Sequence, residues 1–178
     1  NCLKQNTMTI VESIYNSIKG IIKLYTITNS SGASVTLSSI GAGIIAINVP
    51  DKDGVLNDVV LGYKNITDYI YDGPCAGKTA GRYANRIANG RLIVNNIEFA
   101  LNTNCGPNSL HGGPEGFQNQ NWESTIKDNK VHFTYLSKNM EENFPGNVTV
   151  SVIYEWKENN TLTINLSATT DADTVINL

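Results

Sequence analysis

Between Gly81 and Gly113 the chain gathers Arg82, Asn85, Arg86, Arg91, Asn108 and His111 in turns punctuated by glycine. Polar groups on glycine-rich loops are more often binding or catalytic groups than connectors. A guanidinium offers a rigid fork of donors that suits planar anions and hydroxyl oxygens. An amide such as Asn85 both donates and accepts. His111 is followed by Gly112-Gly113, which lets the backbone bend and keeps the imidazole accessible, and imidazole can move protons near neutral pH. Each hydroxyl of a sugar is itself donor and acceptor, so this set suits a polyol. The residues alone leave a second reading open, in which the arginines pair with Asp58, Asp68 or Asp72 and His111 is a structural turn residue.

Other candidates carry less. His132 lies in the alternating stretch Val131–Tyr135, on the face opposite Val131, Phe133 and Tyr135, and reads as solvent-facing or paired across strands. Glu115, Glu141 and Glu142 sit near turns, but glycosidase chemistry needs two acids flanking one bond. Gly73, Gly77 and Gly81 lack the Gly-Lys-Ser/Thr and strand–loop–helix setting of a phosphate loop. The sequence has no CxxC pair, and neither a metal nor a cofactor is expected. A formal charge of -3 and a pI near 5.3 argue against nucleic acid as a partner. No apolar run reaches the roughly 18 residues of a membrane span. Of Cys2, Cys75 and Cys105, the last two are expected as thiols, with a Cys75–Cys105 disulfide as the alternative. Cytoplasmic location is the expectation. Cys2 as a lipid-bearing remnant would instead make the protein exported or periplasmic.

The elements that would position these residues are strands. Val148, Val150, Val152, Tyr154 and Trp156 alternate with Thr149, Ser151, Ile153 and Glu155, and Leu162, Ile164 and Leu166 alternate with Thr163 and Asn165. Alternation of period two buries one face of a strand. Glu158-Asn159-Asn160 between them is a tight-turn sequence. The same arrangement pairs Trp122–Ile126 with Val131–Leu136, and Arg91–Val94 with Ile97–Leu101. Upstream, Ile21–Thr28, Ser34–Ile40, Ile44–Val49 and Val59–Leu61 also read as strands. Asn65–Tyr71 has helical spacing, with Asn65 as a candidate cap. Many short strands and almost no helix predict an all-β antiparallel sandwich, one unit over 1–178, with 1–20 an extension or first strand. Thr174–Leu178 reads as a strand that stops midway.

Taken in order, these segments resemble the aldose 1-epimerases, the galactose mutarotases. Leu56–Tyr63 resembles the family's early strand and turn. Gly81-Arg82-Tyr83-Ala84-Asn85-Arg86-Ile87 is similar to its arginine motif. Asn108-Ser109-Leu110-His111-Gly112-Gly113, with Gly116-Phe117 and Trp122, is similar to its first histidine motif. Asn143-Phe144-Pro145-Gly146 and Ala168–Leu178 resemble a later turn and a mid-chain strand. The likeness runs from about Ile21 to the last residue.

The resemblance implies an antiparallel β-supersandwich, incomplete in this chain, and a reaction without cofactor. In that reaction the α and β anomers of a free hexose, galactose or glucose, interconvert. A base takes the proton of the C1 hydroxyl, an acid protonates the ring oxygen, and the opened sugar closes on its other face. On the matching positions, Arg86 and His111 would bind and polarise the sugar as catalytic residues, with Asn85 as a further contact. The family is about twice this length. Its principal acid, a second histidine, and its glutamate base fall beyond the segment matched by Leu178. The resemblance therefore implies that the remaining half is another chain or is lost, and that 1–178 alone is inactive. Three alternatives remain: a non-catalytic carbohydrate-binding or regulatory relative, a hexose-6-phosphate epimerase with extra cations for phosphate, and a structural sandwich whose arginines pair locally.

Overall fold

The computed structural model describes residues 7–178, and the expectation placed on Cys2 lies outside them. Two meanders of antiparallel strands face one another. The first contains β1 (Thr9–Ser17), β2 (Gly20–Thr28), β3 (Ser34–Ser38), β4 (Gly43–Pro50) and β5 (Leu56–Asp58), hydrogen-bonded in that order. The site-bearing segment follows as two small ladders. β6 (Arg86–Ile87) pairs with β9 (Ser109–Leu110), and β7 (Arg91–Val94) pairs with β8 (Ile97–Ala100). The second meander contains β10 (Glu123–Lys127), β11 (Lys130–Ser137), β12 (Val148–Trp156) and β13 (Leu162–Thr170).

The alternation explains the layering. On β12 every apolar residue of the Val148–Trp156 stripe is buried, and the residues between them are not. That stripe meets Tyr25, Ile27, Val35 and Leu37 of the first sheet, with Val131 and Phe133 of β11, in one core. Indole and phenol groups inside it find backbone acceptors across the layers. Trp156 Nε1 donates to Ala33 O at 3.2 Å, and Tyr154 Oη donates to Ala42 O at 2.7 Å. These bonds cross from one sheet to the other and fix how the layers sit.

Some expectations change at the edges. Within the described part of 1–20, Thr9–Ser17 forms β1, the outer edge of the five-stranded sheet. The strand expected at Val59–Leu61 lies earlier, at Leu56–Asp58. The Asp58 carboxylate accepts from the amides of Ile47 and Val60 and turns the chain away there. The helical spacing at Asn65–Tyr71 yields one 3-10 turn, Ile66–Tyr69. Asn65 does not cap it; its amide donates to Asp68 Oδ2 instead. Thr174–Leu178 is no strand. It forms one parallel bridge, Asn177 to Tyr83, with backbone bonds to Arg82 and Ala84, and Val175 packs against the Leu92–Leu101–Phe144 cluster. Cys75 and Cys105 are thiols and not a disulfide.

Candidate active site

His111 and the Asn85-Arg86 pair are brought together by the β6–β9 ladder, in which Arg86 faces Leu110. Just beyond it the two segments exchange bonds. His111 N donates to Asn85 O at 3.0 Å, and Asn85 N donates to His111 Nδ1 at 3.0 Å. Both residues hold a positive φ, 70° at Asn85 and 53° at His111. For non-glycine residues that conformation is uncommon, though it is enriched in Asn and His. Asn104 brackets the same strand, accepting from Leu110 N at 2.7 Å and donating to Leu110 O at 3.0 Å. Gly112 must be glycine: a Cβ there would lie 1.9 Å from Gly81 O, and its φ is 83°. The arginine segment and the histidine turn thus lie in backbone contact.

The imidazole's chemistry follows from this bond. Because Nδ1 accepts the Asn85 amide, the neutral ring carries its proton on Nε2. Burial pushes the His111 pKa down, and the nearby Arg86 charge pushes it further the same way. Near neutral pH the ring is therefore an uncharged donor through Nε2. Arg86 is exposed and its Nη1 donates to Asn85 Oδ1 at 3.2 Å, which leaves a cation held beside the imidazole without a carboxylate partner among the described residues.

The other arginines have different work. Arg82 is buried and spans three segments. Its Nε and Nη2 donate to Ser137 Oγ, Nη2 also reaches the carbonyls of Ser137 and Lys138, and Nη1 donates to Pro145 O at 2.7 Å. Arg91 pairs on the surface with Glu98 at 2.9 Å. None of the three pairs with Asp58, Asp68 or Asp72. Asp72 instead forms a fully buried ion pair with Lys78, whose ammonium also donates to Tyr69 O. His132 lies across from Thr125 and Ile153 and away from the turns. Asn108 is structural, its Oδ1 accepting from Asn89 N.

Of the carboxylates near turns, Glu142 holds the histidine loop and Glu141 bonds to β11. Glu142 Oε1 accepts from Glu115 N at 2.6 Å, and Glu141 accepts from Tyr135 Oη and Ser137 Oγ. Glu115 binds Lys19 at 2.7 Å and accepts from Tyr71 Oη at 2.7 Å; its pKa is lowered, although burial opposes the bonds from Lys19 and Tyr71. Lys19, in the turn between β1 and β2, and Tyr71 were not legible as site neighbours, because the contact spans 96 residues of sequence. Among the described residues no cluster of His, Cys, Asp and Glu has the makings of a metal site.

The family model described as aldose 1-epimerase matches residues 23–178. The chain belongs to the aldose 1-epimerase family. It is 38% identical over 144 residues to the galactose mutarotase of Bos taurus, covering 81% of this chain and 42% of that one. It is 34% identical over 157 residues to the aldose 1-epimerase of Escherichia coli (strain K12), covering 88% of this chain and 45% of the relative. The crystal structure of an aldose epimerase homologue from C. elegans superimposes with a TM-score of 0.78 at 30% identity, over 96% of this chain and 48% of that one. A galactose 1-epimerase from Lactobacillus acidophilus shares the fold, with a TM-score of 0.79 at 24% identity over 96% of this chain and 50% of that one. The chain therefore has the galactose mutarotase-like β-sandwich fold and spans about half the length of these relatives. Among the described residues no helix is long and apolar enough to cross a membrane.

Proposed function

We propose that this chain forms the arginine–histidine part of an aldose 1-epimerase site that interconverts the α and β anomers of a free hexose such as galactose or glucose. The observation that carries the reading is the bond between Asn85 N and His111 Nδ1, which sets an Nε2 donor beside the Arg86 guanidinium. His111 Nε2–H donates to an oxygen of the bound sugar. Arg86 stabilises negative charge as the C1 oxygen loses its proton and the ring opens. Asn85 holds the guanidinium and contacts the sugar. The proton transfers to the ring oxygen and from the C1 hydroxyl are completed by an acid and a base outside this chain.

A second stretch of polypeptide, in this chain's own product or in a separate chain, completes the site. Two features support this. The relatives run to about twice the length, and β13 carries Ile164 and Leu166 exposed at the free edge of its sheet. An apolar stripe of that kind is a surface that partners cover. Cytoplasmic action is supported by the two thiols, Cys75 and Cys105, which oxidising compartments tend to pair.

Polarimetry tests the proposal. The expected result is faster equilibration of α-D-galactose or α-D-glucose when the 178-residue chain is joined or mixed with a polypeptide supplying the remaining length, and none with the chain alone. Sugar binding without turnover in the completed protein would favour the non-catalytic relative. Turnover that requires a 6-phosphate would favour the phosphosugar epimerase.

A further inference from the structure

His111 opens a turn rich in glycine, with Gly112, Gly113 and Gly116 following it. Glycine has more backbone freedom than any other residue, so such a turn does not hold itself. His111 sits at φ 53°, a conformation that persists only where neighbouring structure fixes it. The turn is entered from the β6–β9 ladder, where Asn104 accepts from Leu110 N. It is left through Glu115, and there every polar group is engaged. Glu115 N donates to Glu142 Oε1 at 2.6 Å, and Glu115 O accepts from Gln120 Nε2 at 2.7 Å. Oε1 accepts from Tyr71 Oη at 2.7 Å, and Oε2 accepts from Lys19 Nζ at 2.7 Å.

The two side-chain donors come from distant segments and are themselves held. Lys19 Nζ lies 4.6 Å from the centroid of the Tyr71 ring, so cation, ring and carboxylate close a triangle. The hairpin turn that carries Lys19 is fixed by Asn121, whose Nδ2 donates to Lys19 O at 3.1 Å and to Ile21 O at 2.9 Å. Tyr71 holds a φ of 60°, an outlier for a bulky residue, and borders the same cavity as His111. Stability does not account for this triangle. The Glu115 side chain is 45% exposed, and exposed ion pairs add little to folding. Nor does Glu115 set the charge of the imidazole, on which burial and Arg86 act. What it sets is the position of the turn.

We propose that Glu115 is a positioning residue for His111: through Lys19 and Tyr71 it clamps the far end of the histidine turn to the β1–β2 hairpin, so that Nδ1 stays on the Asn85 amide and Nε2–H stays available to the sugar. The proposal rests on the reading of the chain as part of an aldose 1-epimerase. Without the clamp the glycines let the imidazole leave Asn85 N. Nδ1 is then free to carry the proton, and a share of the molecules loses the Nε2 donor.

The test uses the completed enzyme with Glu115→Ala, Lys19→Met and the two combined. Three quantities are followed: the mutarotation rate of α-D-galactose, the urea midpoint, and the imidazole tautomer of His111 by NMR of protein labelled with nitrogen-15 histidine, its signals assigned by their loss in His111→Gln. The expected result is a single Nε2–H tautomer in the unsubstituted enzyme and mixed tautomers in each variant. Turnover falls about tenfold, the scale of a small misplacement of a reacting group, while the urea midpoint stays in place. The combined variant falls no further than Glu115→Ala, because Lys19 acts through Glu115. Lys19→Met carries the test alone if Glu115→Ala does not fold. An unmixed tautomer with unchanged turnover overturns the proposal, and so does a lowered urea midpoint with the tautomer intact, which marks a structural brace only. The tautomer needs no sugar to be read. An unsubstituted enzyme that does not equilibrate the sugar, with a tautomer that still answers to Glu115→Ala, therefore removes the epimerase reading and leaves the clamp on His111.

Discussion

His111 differs from an ordinary histidine in the direction its titration is pushed. Burial and the Arg86 charge both favour the neutral ring, so its folded-state pKa lies below the usual value near 6.5. In the unfolded chain that restraint is absent. Below the unfolded pKa the unfolded state binds the extra proton first. The histidine's contribution to stability is therefore fully present above that value and is lost as pH falls toward the folded pKa. An NMR titration of His111 should give a midpoint below 6.5, and Arg86→Gln should move it upward. A midpoint at or above the ordinary value in the unsubstituted protein would contradict the geometry described. The same protonation would break the Asn85 bond to Nδ1 and turn the ring into a cation beside a cation, so turnover should fall on the acid side as well.

At the scale of elements, Arg82 is the residue that ties the arginine segment to the second meander. It satisfies Ser137 and the carbonyls of Lys138 and Pro145 at once, while Asn177 and Ala84 close the same corner through the backbone. Removing it strands several buried acceptors, each costing about 1–3 kcal/mol. Arg82→Ala should therefore lower stability by about 3 kcal/mol or more, seen as a fall in the urea midpoint. Arg82→Lys should recover little of it, because a single ammonium cannot reproduce the fork. A midpoint unchanged in Arg82→Ala would remove this role. The sequence announced this corner only in part. β12 and β13 were legible because their apolar residues alternate strictly, and the bounds Val148–Trp156 coincide in both readings. Arg82, Arg86 and Arg91 look alike in sequence. What separates them is the setting the fold gives each: Arg82 finds Ser137 and Pro145 far along the chain, while Arg86 and Arg91 stay exposed beside the local partners Asn85 and Glu98. Val59–Leu61 misled for a related reason: three apolar residues resemble a short strand, but after one further bond, Val59 N to Ile47 O, the Val60 amide turns back to the Asp58 carboxylate.

At the scale of the molecule, two meanders sharing one core hold a strained turn, with Asn85 and His111 in left-handed conformations, at the end of a two-residue ladder. Local strain of this kind persists only where the surroundings fix it, and it gathers at functional sites. That Arg86 and His111 lie close together was legible through the family resemblance and not through spacing, since 24 residues and a separate hairpin lie between them. Lys19 and Tyr71 at Glu115, and the buried Lys78–Asp72 pair, had no local signature at all. The central claim is that Arg86 and His111 grip one hexose. Its most direct test is the polarimetric mutarotation rate of the completed enzyme carrying His111→Ala, Arg86→Ala, or both, with His132→Ala as the control. Each single change should lower turnover by a factor on the order of 10²–10⁴, the pair should fall by less than the product, and His132→Ala should be nearly silent. Unchanged rates in both single variants would contradict the account.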